Sequence, residues 1–228
     1  MKKKLNVGFV GSGRTAMKHA EVIKTFKDYS LVSVYSRSIY NSKKFANKLK
    51  IKNYFNKIDK FINHEKYDLI VICLPPNILF KYIKLLINLD ANIFIEKPIG
   101  INLSEAYKIL NLYKKRKFKR NKFIVGYNRR FLGSVLKLKN ILSKNSSNLF
   151  IDIQDQQDLK KAKIAGHDKN TLKNWMYANS IHVLDFLNFL ARGEIKKIDT
   201  KKIKFKNSYV VISNIAYSSG DYARYTGY

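Results

Sequence analysis

The stretch VGFVGSGRTAMKHA, residues 7–20, decides the fold. Val7, Phe9 and Val10 read as a buried strand, and the residues after Gly13 read as a helix. Between them stands Gly11-x-Gly13-x-x-Ala16. Gly11 permits the tight turn, Gly13 lets backbone N–H groups approach a pyrophosphate, and Ala16 allows close packing of helix on strand. The pyrophosphate would rest on the positive N-terminus of the helix. Gly11, Ser12, Gly13, Arg14, Thr15 and Ala16 form the candidate cofactor loop.

Outward from this loop, short apolar runs alternate with amphipathic stretches. Strands are expected at 5–11, 31–36, 68–74, 92–96 and 122–127, with a minor one near Tyr54 and Phe55. Helices fit 14–27, 41–50, 57–64, 77–89 and 104–117, the last started by Ser104 with Glu105 behind it. Such alternation predicts an α/β fold with a doubly wound parallel sheet over residues 1–127. From 128 to 228 the pattern changes. A helix at 129–143 leads through SKNSSN to a strand at 149–156, then an irregular polar segment, a helix at 179–191, and alternating runs at 201–207 and 208–218. This predicts a second α+β domain with a mostly antiparallel open sheet.

The charge is large, 45 Lys+Arg against 16 Asp+Glu, a formal +29. Such a field favours polyanions. The basic residues are nevertheless scattered, and the abundance of Lys, Asn, Ile, Phe and Tyr reads as the composition of AT-rich coding sequence. The run KKRKFKR (114–120) reads as a helix end whose cations complement the dipole. Phe118 alone makes no stacking platform, so no nucleic-acid partner is expected. The single cysteine, Cys73, gives neither a disulfide framework nor metal-ligand spacing, and no metal is expected. No apolar stretch approaches the ~20 residues of a membrane span. The start MKKKLNVGFVG carries no cleavage pattern. A soluble cytoplasmic protein is expected.

Three further stretches bear chemistry. The second strand ends VYSRS, placing Ser36, Arg37 and Ser38 where an NAD-binding fold has an acid for the ribose hydroxyls. A guanidinium and two hydroxyls suit a 2′-phosphate, so NADP is favoured over NAD. CLPPN (73–77) closes the strand beyond the switch point with Leu74, Pro75 and Asn77, the last placed to cap a helix. NIFIEKPIG (92–100) ends a buried strand with Glu96, Lys97 and Pro98.

With the glycine loop, CLPPN, IEKPIG and GYNRRF in this order, the chain resembles the Gfo/Idh/MocA family of NAD(P)-dependent oxidoreductases acting on sugars and polyols. The resemblance implies a Rossmann domain and a second, substrate and oligomerisation domain. It places Lys97 beside the nicotinamide and the reacting hydroxyl, where its charge stabilises an alkoxide. It also implies a cis peptide before Pro98, with Glu96 pairing with the ammonium or anchoring the loop. The family pattern D-x-x-x-H-x-x-D aligns His182 as proton acceptor and Asp185 as the second acid in ANSIHVLDF (178–186). The first acid falls at Ala178, its role missing or moved to Asn179. Asp185, Asn179, and Arg129 and Arg130 of GYNRRF are candidate substrate ligands, and Trp175 and Tyr177 are read as core rather than as walls of a sugar site. Members typically have a longer second domain, so the resemblance implies C-terminal truncation and a sheet that stops before completion. Function is expected to be hydride transfer at a hydroxyl or keto carbon of a sugar, polyol or nucleotide-sugar, in a homo-oligomer. The alternative is a catalytically degenerate dinucleotide-binding sensor.

Overall fold

The computed structural model describes residues 3–205 and 208–228. Lys206 and Asn207, at the end of the run expected as a strand over 201–207, lie outside the described residues, as do Met1 and Lys2. The chain divides into two compact units, Met1–Gly126 and Tyr127–Tyr228.

In the first unit the strands are β1 (Leu5–Val10), β2 (Tyr29–Tyr35), β3 (Asn53–Phe55), β4 (Leu69–Ile72), β5 (Asn92–Ile95) and β6 (Phe123–Val125). The helices between them are α1 (Arg14–Ile23), α2 (Ile39–Leu49), α3 (Ile58–His64), α4 (Pro76–Leu86) and α5 (Leu103–Lys115). All pairings are parallel, in the order β3-β2-β1-β4-β5-β6. Both faces are covered, which is why the strands read as unbroken apolar runs. On β4 and β5, Ile70, Ile72, Ile93 and Ile95 enter one core, while Val71 and Phe94 point to the opposite face with Phe9, Ala16 and Ala20. Strand order reverses between β1 and β4, so the crevice outside their carboxyl ends is the switch point where such sheets take ligands.

Two expected caps move. The last helix of this unit is capped by Asn102, not Ser104: the Asn102 side chain accepts from the Glu105 N–H at 3.0 Å, and Glu105 accepts from the Ile101 N–H at 2.9 Å. Asn77 is not a cap either. Pro76 occupies the first position of α4, where its missing N–H costs nothing, and leaves Asn77 inside the helix.

The second unit holds α6 (Gly133–Ser143), β7 (Phe150–Asp155), α7 (Leu159–Ile164), α8 (Lys169–Lys173), α9 (Trp175–Asn179), α10 (Ile181–Leu190), β8 (Ile195–Phe205), β9 (Ser208–Tyr217) and β10 (Tyr222–Gly227). The sheet order is β7-β10-β9-β8. The sheet is mostly antiparallel, as expected: β9 pairs antiparallel with β8 and β10, and only the β10–β7 pair is parallel. Leu187 of α10 packs with Ile215, Tyr217, Ala223 and Tyr225 to form the core. The segment expected to be irregular contains three short helices, and the helix expected from 129 begins at Gly133 after a 3-10 turn over Asn128–Phe131. Trp175 and Tyr177 are half-buried.

Candidate dinucleotide site

Gly11 has φ +109°, and its N–H donates to the Tyr35 carbonyl at 2.9 Å. A Cβ there would lie 2.2 Å from the Cys73 carbonyl oxygen, so the turn excludes any other residue. Gly11→Ala is expected to weaken dinucleotide binding at least about tenfold, readable by fluorescence titration. Gly13 precedes α1 with extended backbone, and the space around its Cβ position is open. Among the described residues no side chain caps α1. Its first-turn N–H groups therefore suit an anionic group approaching from outside, and the chemistry of the loop fits a pyrophosphate.

The loop opens on a cleft of about 790 Å³. The cleft brings together Gly11, Ser12, Gly13, Arg14, Ser36, Arg37, Leu74 and Pro75 from the sequence expectations. Thr15, Ala16, Ser38, Asn77, Glu96 and Lys97 do not line it. Ala16 is fully buried under the helix, as close packing requires. Ser38 is the N-cap of α2, accepting from the Asn41 N–H at 3.3 Å. Unanticipated are Lys18 of α1 and Asn41, Lys44 and Lys48 of α2. Positions 41, 44 and 48 share one helix face, but the local pattern does not say what that face meets. Glu21, the cleft's acid, is paired with Lys48 at 3.2 Å. Burial, and secondarily the charge of Glu96, push the Cys73 thiol up to about 12, so it stays protonated and unreactive at the cleft wall.

At the end of β5 the Glu96 N–H donates to the Ile72 carbonyl at 3.0 Å, extending the parallel ladder by one residue. Its carboxylate Oε1 lies 2.5 Å from Nε2 of His19 on α1. The peptide between Lys97 and Pro98 is cis, as the resemblance implied.

In the second unit His182 is buried on α10, three residues before Asp185. The Arg130 guanidinium grips Asp185 with two bonds, Nε to Oδ2 at 2.6 Å and Nη2 to Oδ1 at 2.5 Å. Arg130 also lies over the rings of Tyr127 and Phe189. The Asp185 hydrogen bond raises the arginine's already high pKa. Two expected substrate ligands are thus each other's partners. Arg129 is exposed on the 3-10 turn, and Asn179 donates to Gln157 Oε1 at 2.8 Å. Both arginines of the basic run that closes α5 are tied down. Arg116 donates to the Tyr113, Lys119 and Asn121 carbonyls, and Arg120 pairs with Asp90. Among the described residues no helix is long and apolar enough to cross a membrane.

Residues 5–127 match the Gfo/Idh/MocA oxidoreductase family, described by its NAD-binding Rossmann fold. The chain belongs to this family. An oxidoreductase of Formosa agariphila is 26% identical over 176 residues, 77% of this chain and 53% of its own. A dehydrogenase from Chromobacterium violaceum superposes with a TM-score of 0.83 at 19% identity, over 99% of this chain and 66% of that one. A scyllo-inositol dehydrogenase from Lactobacillus casei, solved with NAD(H) and scyllo-inositol, gives 0.76 at 19% identity, over 98% and 69%. This Gfo/Idh/MocA chain thus spans about half the length of that curated relative and about two thirds of these solved ones.

Proposed function

We propose that the chain is an NADP(H)-linked oxidoreductase acting on a hydroxyl or keto carbon of a sugar, polyol or nucleotide-linked sugar. The observation that carries the cofactor choice is the cation set of the cleft. Arg37, just past β2, lines it together with Arg14 of α1 and Lys44 of α2, with Ser36 and Asn41 as further hydrogen-bonding groups. An acid selecting the free 2′-hydroxyl is missing from Ser36–Ser38, and Glu21 is already neutralised by Lys48. A 2′-phosphate satisfies these cations, whereas a plain ribose leaves them unmatched.

The bound nicotinamide supplies the hydride chemistry. The α1 N-terminus holds the pyrophosphate, and Leu74 and Pro75 wall the cleft. Lys97, at the carboxyl end of β5, stabilises the substrate oxygen as its charge develops. His182 takes the hydroxyl proton, a task suited to imidazole near neutral pH. The reading includes a cytoplasmic setting and a homo-oligomeric assembly. A second reading, a dinucleotide sensor without turnover, is favoured by Ala178 in place of an acid and by the engagement of Asp185 with Arg130.

Fluorescence titration with NADPH and NADH tests the first reading, followed by an absorbance screen of inositols, sugars and nucleotide sugars. Arg37→Asp is expected to cut NADPH affinity about tenfold to a hundredfold while NADH changes little, since a charged hydrogen bond of roughly 1.5–3 kcal/mol is lost. Equal losses for both cofactors would refute the 2′-phosphate assignment. Tight NADPH binding without turnover of any compound would favour the sensor.

A further inference from the structure

We propose that His19 is a positioning residue. It ties the helix whose N-terminus receives the pyrophosphate to the turn that carries Lys97, so that one half of the cofactor site sets the other. The proposal rests on the dinucleotide reading given above.

The tie follows from sheet geometry. Phe94 and Glu96 are two residues apart along β5 and its extension, so both side chains point to the same face. That face is covered by α1: Ala16 and Ala20 pack in the cluster that Phe94 joins. The His19 ring meets the Phe94 ring edge-on, with centroids 5.1 Å apart at 65°. This packing directs the imidazole along the strand to Glu96, where Nε2 and Oε1 lie 2.5 Å apart. The two side chains are 26% and 16% exposed, so the bond is partly desolvated and stronger than a surface pair.

Glu96 is therefore held twice. Its N–H belongs to the Ile72 carbonyl of β4, and its carboxylate belongs to α1. Gly126 packs beside it, since a Cβ there would lie 2.9 Å from Phe94 and 3.4 Å from the Glu96 carboxylate. With residue 96 fixed at backbone and side chain, the direction in which the chain leaves toward Lys97 is fixed too. A half-buried carboxylate is a costly way to join a helix to a sheet when apolar contacts would serve. Its chemistry is explained if the junction must set the angle of the next residue. Imidazole suits the task because neutral Nε2–H and imidazolium both donate to the carboxylate.

The test separates the cofactor's two halves by comparing 2′,5′-ADP with NADPH by titration, or 5′-ADP with NADH if the wild type prefers the latter. His19→Phe keeps the ring on Phe94 and loses the bond; His19→Ala removes both. Expected is an adenosine-half affinity within about twofold of wild type, a dinucleotide affinity lowered about threefold, and, as the larger effect, a reduced rise in bound nicotinamide fluorescence. His19→Gln, whose amide N–H can reach Glu96, should restore most of the loss. A purely structural role would move both ligands together, and that result overturns the proposal. So does a His19→Phe protein indistinguishable from wild type, or a folded His19→Gln protein without rescue. If His19→Ala fails to fold, His19→Phe decides alone. No saturable dinucleotide binding by the wild type would instead overturn the underlying functional reading.

Discussion

Lys97→Ala is expected to lower kcat about a thousandfold or more while dinucleotide affinity shifts by no more than a few-fold. Residue 97 is the first past a strand end clamped by the Ile72 carbonyl and His19, which gives its side chain a rigid base. In the role proposed above, the Lys97 charge acts on a developing alkoxide in the transition state more than on the ground state, so its loss falls on kcat. Lys97→Arg should rescue little, because a planar fork cannot occupy the place of a compact ammonium. Steady-state rates on a substrate found by the screen, paired with fluorescence titration, check both parts. Unchanged turnover in the alanine variant would remove Lys97 from the reaction. Equal loss of binding and rate would make it a cofactor ligand instead.

The second large effect concerns stability. Asp221, its side chain fully buried, accepts from the Leu149 N–H at 2.9 Å and the Arg192 N–H at 2.8 Å. The Arg192 guanidinium adds bonds of 2.9 and 2.5 Å, and reaches on to the Asn145 and Ser147 carbonyls at 2.7 Å each. One carboxylate thus fastens the end of α10, the loop before β7 and the turn before β10. Asp221→Ala leaves the Leu149 and Arg192 N–H groups and the Arg192 Nε without their acceptor and is expected to destabilise the second unit by about 3 kcal/mol. The lone tryptophan, Trp175, lies in that unit, so urea unfolding followed by its fluorescence reports the loss.

The pH dependence has a definite sign. Hydrogen bonding from Arg192 holds the Asp221 carboxyl far below the usual carboxylate range. A depressed native pKa means the contribution is fully present above the unfolded value of about 3.9 and is lost as the pH falls below it. The urea midpoint should therefore drop between pH 5 and pH 2.5 in the wild type, and drop less in Asp221→Asn. Equal slopes would show that the carboxylate is not the group responsible.

The first unit was legible because its strands, buried on both faces, are written as Val and Ile runs, and because the glycine loop has one chemical use. The parts missed are those where local pattern and structure part company. β10 buries Ala223, Tyr225 and Gly227 and exposes Tyr222 and Arg224, so two of its inward residues are too small to register as apolar. Helices α7 to α9 span five or six residues each, too short for a 3.6-residue period to emerge. The glycine loop, Arg37 and Pro75 could be placed at one cleft because each sits at a strand end. Lys44 and Lys48 could not, since their meaning depends on α2 lying beside that cleft. His19 and Glu96 are 77 positions apart, and Arg130 and Asp185 are 55 apart. Pairings at such distances leave no trace in local periodicity.

The uncapped start of α1 has one more consequence. A helix whose first N–H groups await an anion is completed by the ligand rather than by its own chain, so part of the stability of the Rossmann unit belongs to the dinucleotide. By mass action, a cofactor present at a hundred times its Kd adds about 2.7 kcal/mol to that unit. Heat resistance and resistance to proteolysis in Met1–Gly126 would then rise and fall with the nucleotide pool around it, making the fold itself a readout of that pool.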